Sequence, residues 1–159
     1  MDWAVQKATE LGASRIVPVL AQHGVVKLSR GDGDAKVERW ARIARSAAKQ
    51  CGTPWLPEIS PVVNLLDFLA DLSCVDVLLH CSLEPDARPF KTAVADLKRE
   101  GAKRVGVLVG PEGDLTGEEA EAARRAGAWP ITLGRLVLRA ETAALYALSV
   151  LSHEYENWG

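Results

Sequence analysis

The chain has few cysteines, no long hydrophobic run and no excess of basic charge, and each absence excludes a class of protein. Its three cysteines, Cys51, Cys74 and Cys81, show no C-x-x-C spacing, which argues against a disulfide framework or a zinc site. No stretch approaches the roughly twenty apolar residues that span a bilayer. No basic segment followed by an apolar run marks a signal peptide. We therefore expect a cytoplasmic protein with no membrane segment and no metal.

Charge balance and length set further bounds on the protein. With 19 basic and 21 acidic residues the formal net charge is −2, so a nucleic-acid site has to be a local patch. The chain of 159 residues is 48% hydrophobic and 25% charged, which is typical of one globular domain with a real core. Internal repeats and low-complexity segments are absent. We expect a single domain over residues 1–159.

Strand-like and helix-like segments alternate along the chain, which predicts an α/β fold with a mostly parallel sheet and helices on both faces. Asp2 is expected to cap the first helix. Residues 15–20 read as one strand, with Pro18 at an edge or bulge, residues 29–35 as a loop, and residues 36–51 as an amphipathic helix. The remaining strands are expected near residues 75–81, 105–109 and 129–133, and the last helix near residues 140–155.

Two glycine-containing turns each follow a buried strand, which is where open α/β sheets place ligands. The first reads V-G-P-E-G over residues 109–113, and the second begins at residues 133–134. Neither is a P-loop or a G-x-G-x-x-G fingerprint. The helix behind the first turn starts with three carboxylates that would repel a phosphate, namely Asp114, Glu118 and Glu119. Ordinary βα turns and a site for a phosphate-free adenosine cofactor are both compatible with these residues.

The helix over residues 36–51 separates into an apolar arc and a basic arc at 100° per residue. We call the basic arc the cationic face; it consists of Arg39, Arg42, Arg45 and Lys49. Lys27 and Arg30 precede it. A solvated surface is one interpretation of this face, and contact with RNA phosphates is the other.

The last helix is apolar on nearly every side, through Ala143, Ala144, Leu145, Ala147, Leu148, Val150 and Leu151. Such a helix needs cover all round, which in a small domain favours a symmetric dimer. Before it, Arg139 and Glu141 are expected to form a buried pair that fixes the helix start, and Thr142 to cap locally or meet a ligand. The three histidines, His23, His80 and His153, have no metal-ligand spacing and are predicted to be surface or loop residues.

The two turns together resemble the knotted SPOUT methyltransferases, and specifically the RsmE family of ribosomal-RNA uridine methyltransferases. The resemblance rests on V-G-P-E-G at residues 109–113 and L-G-x-x-V-L-R-x-E-T-A at residues 133–143. Shorter matches at residues 7–12, 16–18, 25–27, 39–40, 47–50 and 56–57 extend it over almost the whole chain.

The resemblance implies a C-terminal trefoil knot, S-adenosylmethionine as cofactor, a homodimer, and methylation of a uridine N3 in 16S rRNA of the small ribosomal subunit. It assigns the cofactor to Leu79, His80, Cys81, Val109, Gly110, Pro111, Glu112, Gly113, Leu133, Gly134, Leu136, Val137, Leu138, Thr142 and Ala143. Arg139 would stabilise the uridine anion and Glu112 would position groups near the cofactor. Lys27 and the cationic face would bind RNA.

The sequence departs from the family at several points. The family carries an N-terminal RNA-binding β-barrel domain, and we expect that domain to be absent from this chain, either because an upstream part is missing or because this is a shortened member. Asp114 replaces the last glycine of a usual P-E-G-G loop, and Arg135-Leu136 stand where the family reads P-R. His23 and Thr53 occupy positions where it favours arginine. An alternative function is therefore a dimeric S-adenosylmethionine-binding module that is weakly active or non-catalytic.

Overall fold

The computed structural model describes residues 1–24 and 30–155. The helices are α1 (Asp2–Glu10), α2 (Arg30–Cys51), α3 (Leu65–Ala70), α4 (Phe90–Glu100), α5 (Gly117–Arg125) and α6 (Ala140–Glu154). The strands are β1 (Arg15–Ile16), β2 (Val19–Leu20), β3 (Glu58–Ile59), β4 (Val63–Asn64), β5 (Val77–Cys81), β6 (Arg88–Pro89), β7 (Val105–Val109) and β8 (Trp129–Thr132).

A four-stranded parallel sheet with the order β6-β8-β5-β7 forms the centre of the molecule. Cys81 at the end of β5 lies opposite Val109 of β7 on one side and Ile131 of β8 on the other. Three neighbouring strands therefore end at almost the same level. The predicted α/β fold with a mostly parallel sheet is confirmed.

Helices cover both faces of this sheet, as the apolar character of its strands requires. On one face α4 and α6 pack over the sheet in a core that includes Leu79, Leu97, Ile131 and Leu151. On the other face α3 and α5 form a second core from Leu65, Leu69, Leu78, Leu108, Leu115, Ala120, Ala123 and Ala128. Leu78 and Leu79 are adjacent in β5 and enter opposite cores, which is the two-residue alternation of a strand.

The N-terminal strands β1 and β2 pair with β3 and β4 in two short parallel ladders, β1–β3 and β2–β4. The single strand predicted over residues 15–20 is wrong, because the ladder breaks at Pro18. Proline has no N–H to donate, although the Pro18 carbonyl still accepts from Val63 N at 3.1 Å. A third core, built on Val5, Trp40 and Ala44, joins α1 to α2.

Two further local predictions are wrong. Asp2 does not cap α1, since the cap position is Met1 and makes no side-chain hydrogen bond. The Asp2 carboxylate instead accepts from the Arg39 guanidinium and, at 3.1 Å, from Trp40 Nε1. The loop predicted over residues 29–35 is helical from Arg30 onward, because the apolar contacts of α2 outweigh the low helix propensity of its two first-turn glycines. Residue 29 lies outside the described residues.

Along residues 1–24 and 30–155, none of the helices combines the length and the apolar character that crossing a membrane demands.

Candidate active site

Three loops leave the sheet side by side at the carboxyl ends of its central strands. The first loop (residues 82–87) follows β5, the second loop (residues 110–116) follows β7, and the third loop (residues 133–139) follows β8. Ser82 N donates to the Ile131 carbonyl at 2.8 Å and keeps the first and third loops together at their base. The two glycine turns that are 24 residues apart in the sequence thus flank one another across β5.

The second loop reverses direction through two successive left-handed residues, Gly113 with φ 99° and Asp114 with φ 64°. Asp114 N donates to the Pro111 carbonyl at 3.0 Å and closes the turn. Glu112 and Gly113 are exposed at its tip, and a Cβ on Gly113 would meet nothing within 4 Å. The tip therefore presents open main chain to solvent.

Gly110 differs from Gly113, because its surroundings are already filled by the loop itself. A Cβ on Gly110 would lie 2.8 Å from Asp114 Oδ1 and 3.2 Å from Leu115 N. The glycine is needed so that the turn can close over its own main chain.

Side-chain oxygen atoms accept main-chain N–H groups in the first turn of α5 and just before it. Thr116 and Glu119 form a capping box, in which Glu119 N donates to Thr116 Oγ1 and Thr116 N donates to Glu119 Oε2. Glu119 is buried and also accepts from Gln22 N at 2.8 Å. The Asp114 carboxylate accepts from Leu115 N at 2.8 Å. The carboxylates of Asp114 and Glu119 at this helix end would repel a phosphate group.

The third loop carries the most exposed apolar side chains of the described chain. Leu136 is 79% exposed and Val137 is 76% exposed. Gly134 has φ 138°, and Thr132 Oγ1 donates to its carbonyl at 3.1 Å. Two neighbouring apolar side chains held open beside main-chain groups form a surface on which a flat apolar ring would pack.

The start of α6 differs from the prediction. Arg139 and Glu141 are both exposed, so the buried pair predicted here is wrong. Arg139 occupies the cap position, where its carbonyl accepts from Ala143 N at 2.8 Å. Thr142 is exposed and Ala143 is buried. The Arg139 guanidinium is thus available to solvent at the end of the third loop.

His80 is buried within β5, with a side chain only 2% exposed, so the prediction of a surface or loop histidine is wrong. Its Nε2 has no hydrogen-bond partner and lies 3.9 Å from Asp114 Oδ1. Burial lowers the pKa of His80 below its usual value; the charges of Asp114 and Glu84 oppose this shift, and Arg124 adds to it. The imidazole is therefore neutral at pH 7.

The other β5 residues assigned to the cofactor are also covered. Leu79 is fully buried in the core under α4 and α6. Burial raises the pKa of the Cys81 thiol to about 12, and the nearby Asp114 charge adds to the shift. The thiol stays protonated at neutral pH and is not a nucleophile. These three residues support the base of the loops from within the strand.

Ionic contacts hold the first loop against α5. Arg124 binds the Glu84 carboxylate and, at 2.8 Å, the Asp86 carboxylate. These contacts lower the pKa of Asp86 and raise that of Arg124. Next to the loop, the Arg88 guanidinium stacks 4.5 Å from the centre of the Trp129 ring, which is an attractive cation–π arrangement.

The cationic face is partly neutralised. Arg42, Arg45 and Lys49 are exposed on α2, but Arg39 is held in its ion pair with Asp2. Lys27, also predicted to bind RNA, lies outside the described residues. The apolar arc of α2 is buried as predicted at Trp40, Ala44, Ala47 and Ala48, whereas Cys51 at the helix end is exposed.

A long open cleft of ≈ 1510 Å³ connects α2 with the second loop. It runs from Arg39 and Trp40 along α1 and the edge of β7 to Gly110 and Pro111, and α6 lines it through Ala144 and Leu148. The third loop is not part of its wall. Among the residues that the structure describes, no group of three or more His, Cys, Asp or Glu side chains is placed to hold a metal ion.

Sequence reasoning missed the contacts made by Asp114, His80 and Arg124. A signal for Asp114 existed, since it replaces a glycine where the turn needs a left-handed residue. A signal for His80 also existed, because it follows Val77, Leu78 and Leu79 in an apolar strand. The partner of Arg124 lies 40 residues away in the chain, and no local pattern indicates it.

Comparison with known proteins gives consistent matches over the whole described chain. A family model described as RNA methyltransferase domain matches residues 1–152. The ribosomal RNA small subunit methyltransferase E of Bacillus subtilis is 35% identical over 98% of this chain and 62% of its own length. The enzyme of the same name from Aquifex aeolicus is 33% identical over 95% of this chain and 62% of its own length.

Solved structures give the same match in three dimensions. A methyltransferase from Legionella pneumophila, determined with the cofactor SAM bound, superposes with a TM-score of 0.87 at 30% identity over 96% of this chain and 60% of its own. The ribosomal RNA small subunit methyltransferase E of Neisseria gonorrhoeae, bound to S-adenosyl methionine, gives 0.83 at 29% identity over 96% of this chain and 60% of its own. The chain thus spans about three fifths of the length of these relatives.

Proposed function

Because this chain belongs to the family of RNA methyltransferase domains, as its motifs predicted, we propose that it transfers a methyl group from S-adenosylmethionine to ribosomal RNA. The observation that carries the proposal is the set of three loops at one sheet edge, after β5, β7 and β8. Its relatives are named as methyltransferases of small-subunit rRNA, and two structural neighbours hold the cofactor. The proposed substrate is accordingly 16S rRNA, with a uridine N3 as the methylated atom.

The residues at the three loops fit this cofactor better than a phosphate-bearing one. The carboxylates of Asp114 and Glu119 accept from Leu115 N and Thr116 N and would repel a phosphate at this helix end. Exposed main chain at Gly113 and Gly134 and the apolar side chains of Leu136 and Val137 suit an adenosine and a methionine tail. When bound, the cofactor supplies a methyl group on a sulfonium centre.

We assign the binding of the cofactor to the second and third loops, to Thr142 and Ala143 at the start of α6, and to β5 beneath them. The residues concerned are Leu79, His80, Cys81, Val109, Gly110, Pro111, Glu112, Gly113, Leu133, Gly134, Leu136, Val137, Leu138, Thr142 and Ala143. In this assignment β5 acts as support, because Leu79 and His80 are buried.

The chain's own residues contribute orientation and charge to the transfer. Loops that hold the methyl group in line with the attacking nitrogen can supply much of the rate. The uridine N3 has to lose a proton, and the Arg139 guanidinium, exposed at the end of the third loop, would stabilise the resulting anion. Glu112, exposed at the tip of the second loop, would position the substrate beside the cofactor.

RNA would bind through the exposed part of the cationic face on α2. Arg42, Arg45 and Lys49 are exposed and close in sequence on one helix, and Lys27 extends the set. Arg39 contributes less than its sequence position predicts, because Asp2 neutralises it. The weakly active, cofactor-binding module remains the second candidate, and this loss of one phosphate contact favours it.

The homodimer and the trefoil knot are further parts of the proposal. On α6 only Ala143, Ala147 and Leu151 are buried by the chain itself, while Tyr146 is 46% exposed and Leu148 lines the cleft. A second copy of the chain would cover this apolar surface. The knot is supported by β8, which comes late in the chain yet lies between β5 and β6 before α6 returns over the sheet.

The function is tested with the purified chain, S-adenosylmethionine and small ribosomal subunits that lack the methyl group. We expect 1:1 cofactor binding in calorimetry and slow transfer of labelled methyl to 16S rRNA. Sedimentation in the same buffer should give twice the chain mass. Binding without transfer would support the second candidate, and a folded protein that binds no cofactor at high micromolar concentration would refute both.

RNA binding should depend steeply on salt. Three phosphate contacts give a slope of about −2.7 in a plot of log affinity against log salt, at about 0.9 per contact. Arg42→Glu/Arg45→Glu should abolish binding of a small-subunit rRNA fragment in a filter assay. Arg99→Glu/Arg125→Glu, with the same change of net charge on other helices, is the control and should bind normally. Equal losses in both variants would show that the cationic face has no specific role.

A further inference from the structure

Asp114 is the only residue other than glycine in the described chain with a left-handed backbone conformation. Aspartate tolerates this conformation better than most residues but less well than glycine. The second loop resembles a P-E-G-G turn, in which a glycine would take the position without strain. A side chain at this place needs a compensating contact to be favourable.

The Asp114 side chain makes that contact with the first loop of the site. Its Oδ2 accepts from Leu83 N in the first loop at 3.2 Å, while Oδ1 accepts from Leu115 N at 2.8 Å. The main-chain oxygen of Asp114 lies 3.2 Å from His23 Nδ1. One residue therefore joins the loop after β5, the loop after β7 and the N-terminal segment.

His80 lies beneath this carboxylate. Its ring is fully enclosed and its unpartnered Nε2 points to Asp114 Oδ1 at 3.9 Å. The other charged groups that act on the ring are Glu84 in the first loop and Arg124 in α5. A buried nitrogen without a hydrogen-bond partner costs free energy and calls for an explanation. Here the nitrogen faces the carboxylate that joins two loops.

We propose that Asp114 is a positioning residue for cofactor binding, whose carboxylate fixes the first loop against the second while the buried His80 ring supports it from below. The inference rests on the proposed function only for the identity of the ligand. Asp114 touches the loops and not the reacting atoms. Its removal should therefore weaken cofactor binding through loop separation.

The test uses Asp114→Gly, which suits the left-handed backbone and should keep the fold, and Asp114→Asn, which keeps one acceptor oxygen. In calorimetry we expect S-adenosylmethionine to bind to the glycine variant about tenfold more weakly than to the wild type. The affinity of the asparagine variant should lie between the two. Asp76→Ala is the matched control, because Asp76 joins the opposite ends of the same two strands through Lys103 N and Arg104 N. It should leave cofactor affinity unchanged.

Two measurements by NMR report on the contact without any ligand. The titration of His80, whose signal is assigned with His80→Gln, should change in Asp114→Gly, because the burial that lowers its pKa and the carboxylate that raises it both depend on the closed loop. The Leu83 amide should lose protection from hydrogen exchange in Asp114→Gly and keep it in Asp76→Ala.

The outcomes separate this inference from the function itself. If the wild-type chain binds no cofactor, the proposed function fails, but the two NMR measurements still decide whether Asp114 joins the loops. Unchanged affinity together with unchanged His80 titration in Asp114→Gly would overturn the inference. Equal losses of affinity in Asp114→Gly and Asp76→Ala would also overturn it, since the effect would then be one of general stability.

Discussion

At both ends of the β5–β7 strand pair an aspartate carboxylate accepts two main-chain N–H groups, at least one of them from across the pair. At the amino end Asp76 accepts from Lys103 N and Arg104 N, and the Arg104 guanidinium binds its other oxygen at 2.7 Å. At the carboxyl end Asp114 accepts from Leu83 N and Leu115 N, and no guanidinium completes its shell among the described residues. The Asp76 carboxylate is thus paired with a cationic side chain, whereas the Asp114 carboxylate can still accept further hydrogen bonds beside an open surface.

The difference shows that one sheet can have a stabilising contact at the amino ends of its strands and a functional site at their carboxyl ends. The contacts around Asp76 lower its pKa to about 2, which marks a carboxylate held firmly in its charged form. The carboxyl edge instead has left-handed residues, exposed apolar side chains and a buried unpartnered imidazole. Strain and unsatisfied groups of this kind collect at functional sites. Substitutions at the two ends should therefore be separable into effects on stability and effects on binding.

The largest expected effect is that of Gly110→Val compared with Gly106→Ala. A side chain on Gly110 collides with Asp114 Oδ1 and with main chain at Leu115, so the second loop has to open. We expect cofactor affinity to fall by about a hundredfold or more, measured by calorimetry on protein whose far-ultraviolet circular dichroism is unchanged.

Gly106→Ala is the control at the other end of β7. Its Cβ would meet Leu78 Cδ1 at 2.9 Å and Val75 Cγ1 at 3.1 Å, which are side-chain atoms that can move. We expect a lower unfolding midpoint and normal cofactor affinity. Normal cofactor binding by Gly110→Val would contradict the account of a self-filled turn.

Asp76→Ala should lower stability and change its pH dependence. Because the folded-state pKa of Asp76 is depressed from 3.8 to about 2, its contribution is fully present above pH 3.8 and is lost as the pH falls through about 2. Urea unfolding of the wild type should show this loss, and the variant should show less of it. Identical pH profiles for the two proteins would show that the contact adds nothing to folding.

The smallest expected effect on stability is that of Leu136→Ser in the third loop. The side chain is 79% exposed, so the free energy of unfolding should change by no more than about 0.5 kcal/mol. Cofactor affinity should nevertheless fall by roughly threefold to tenfold, because apolar area that the ligand covers is lost. Ser149→Ala on an exposed position of α6 is the matched surface change and should alter neither quantity.

Much of the fold and the position of the site could be predicted from the sequence, because both depend on local patterns. Short apolar runs located β5, β7 and β8, and their parallel arrangement places the following loops at one edge. The start of α5 is likewise a local feature, because residues 116–119 carry the T-x-x-E pattern of a capping box.

The parts that could not be predicted depend on pairing between distant segments. Whether His80 is buried is decided by β7 and β8 on either side of it and by Asp114, 34 residues later. The Asp2–Arg39 ion pair depends on the packing of α1 against α2, and the split at Pro18 depends on separate partners for β1 and β2. Sequence spacing contains none of this information.

The position of β8 has a consequence for the order in which the molecule can be built. β8 is synthesised after β5 and β6, yet it lies between them in the sheet. Until residue 132 has left the ribosome, β5 and β6 have no neighbour on their facing edges. At roughly 5–20 residues per second the nascent chain spends several seconds in this state. Open strand edges invite wrong pairing, so we expect this protein to be most prone to aggregate in the interval between the synthesis of β6 and the emergence of β8.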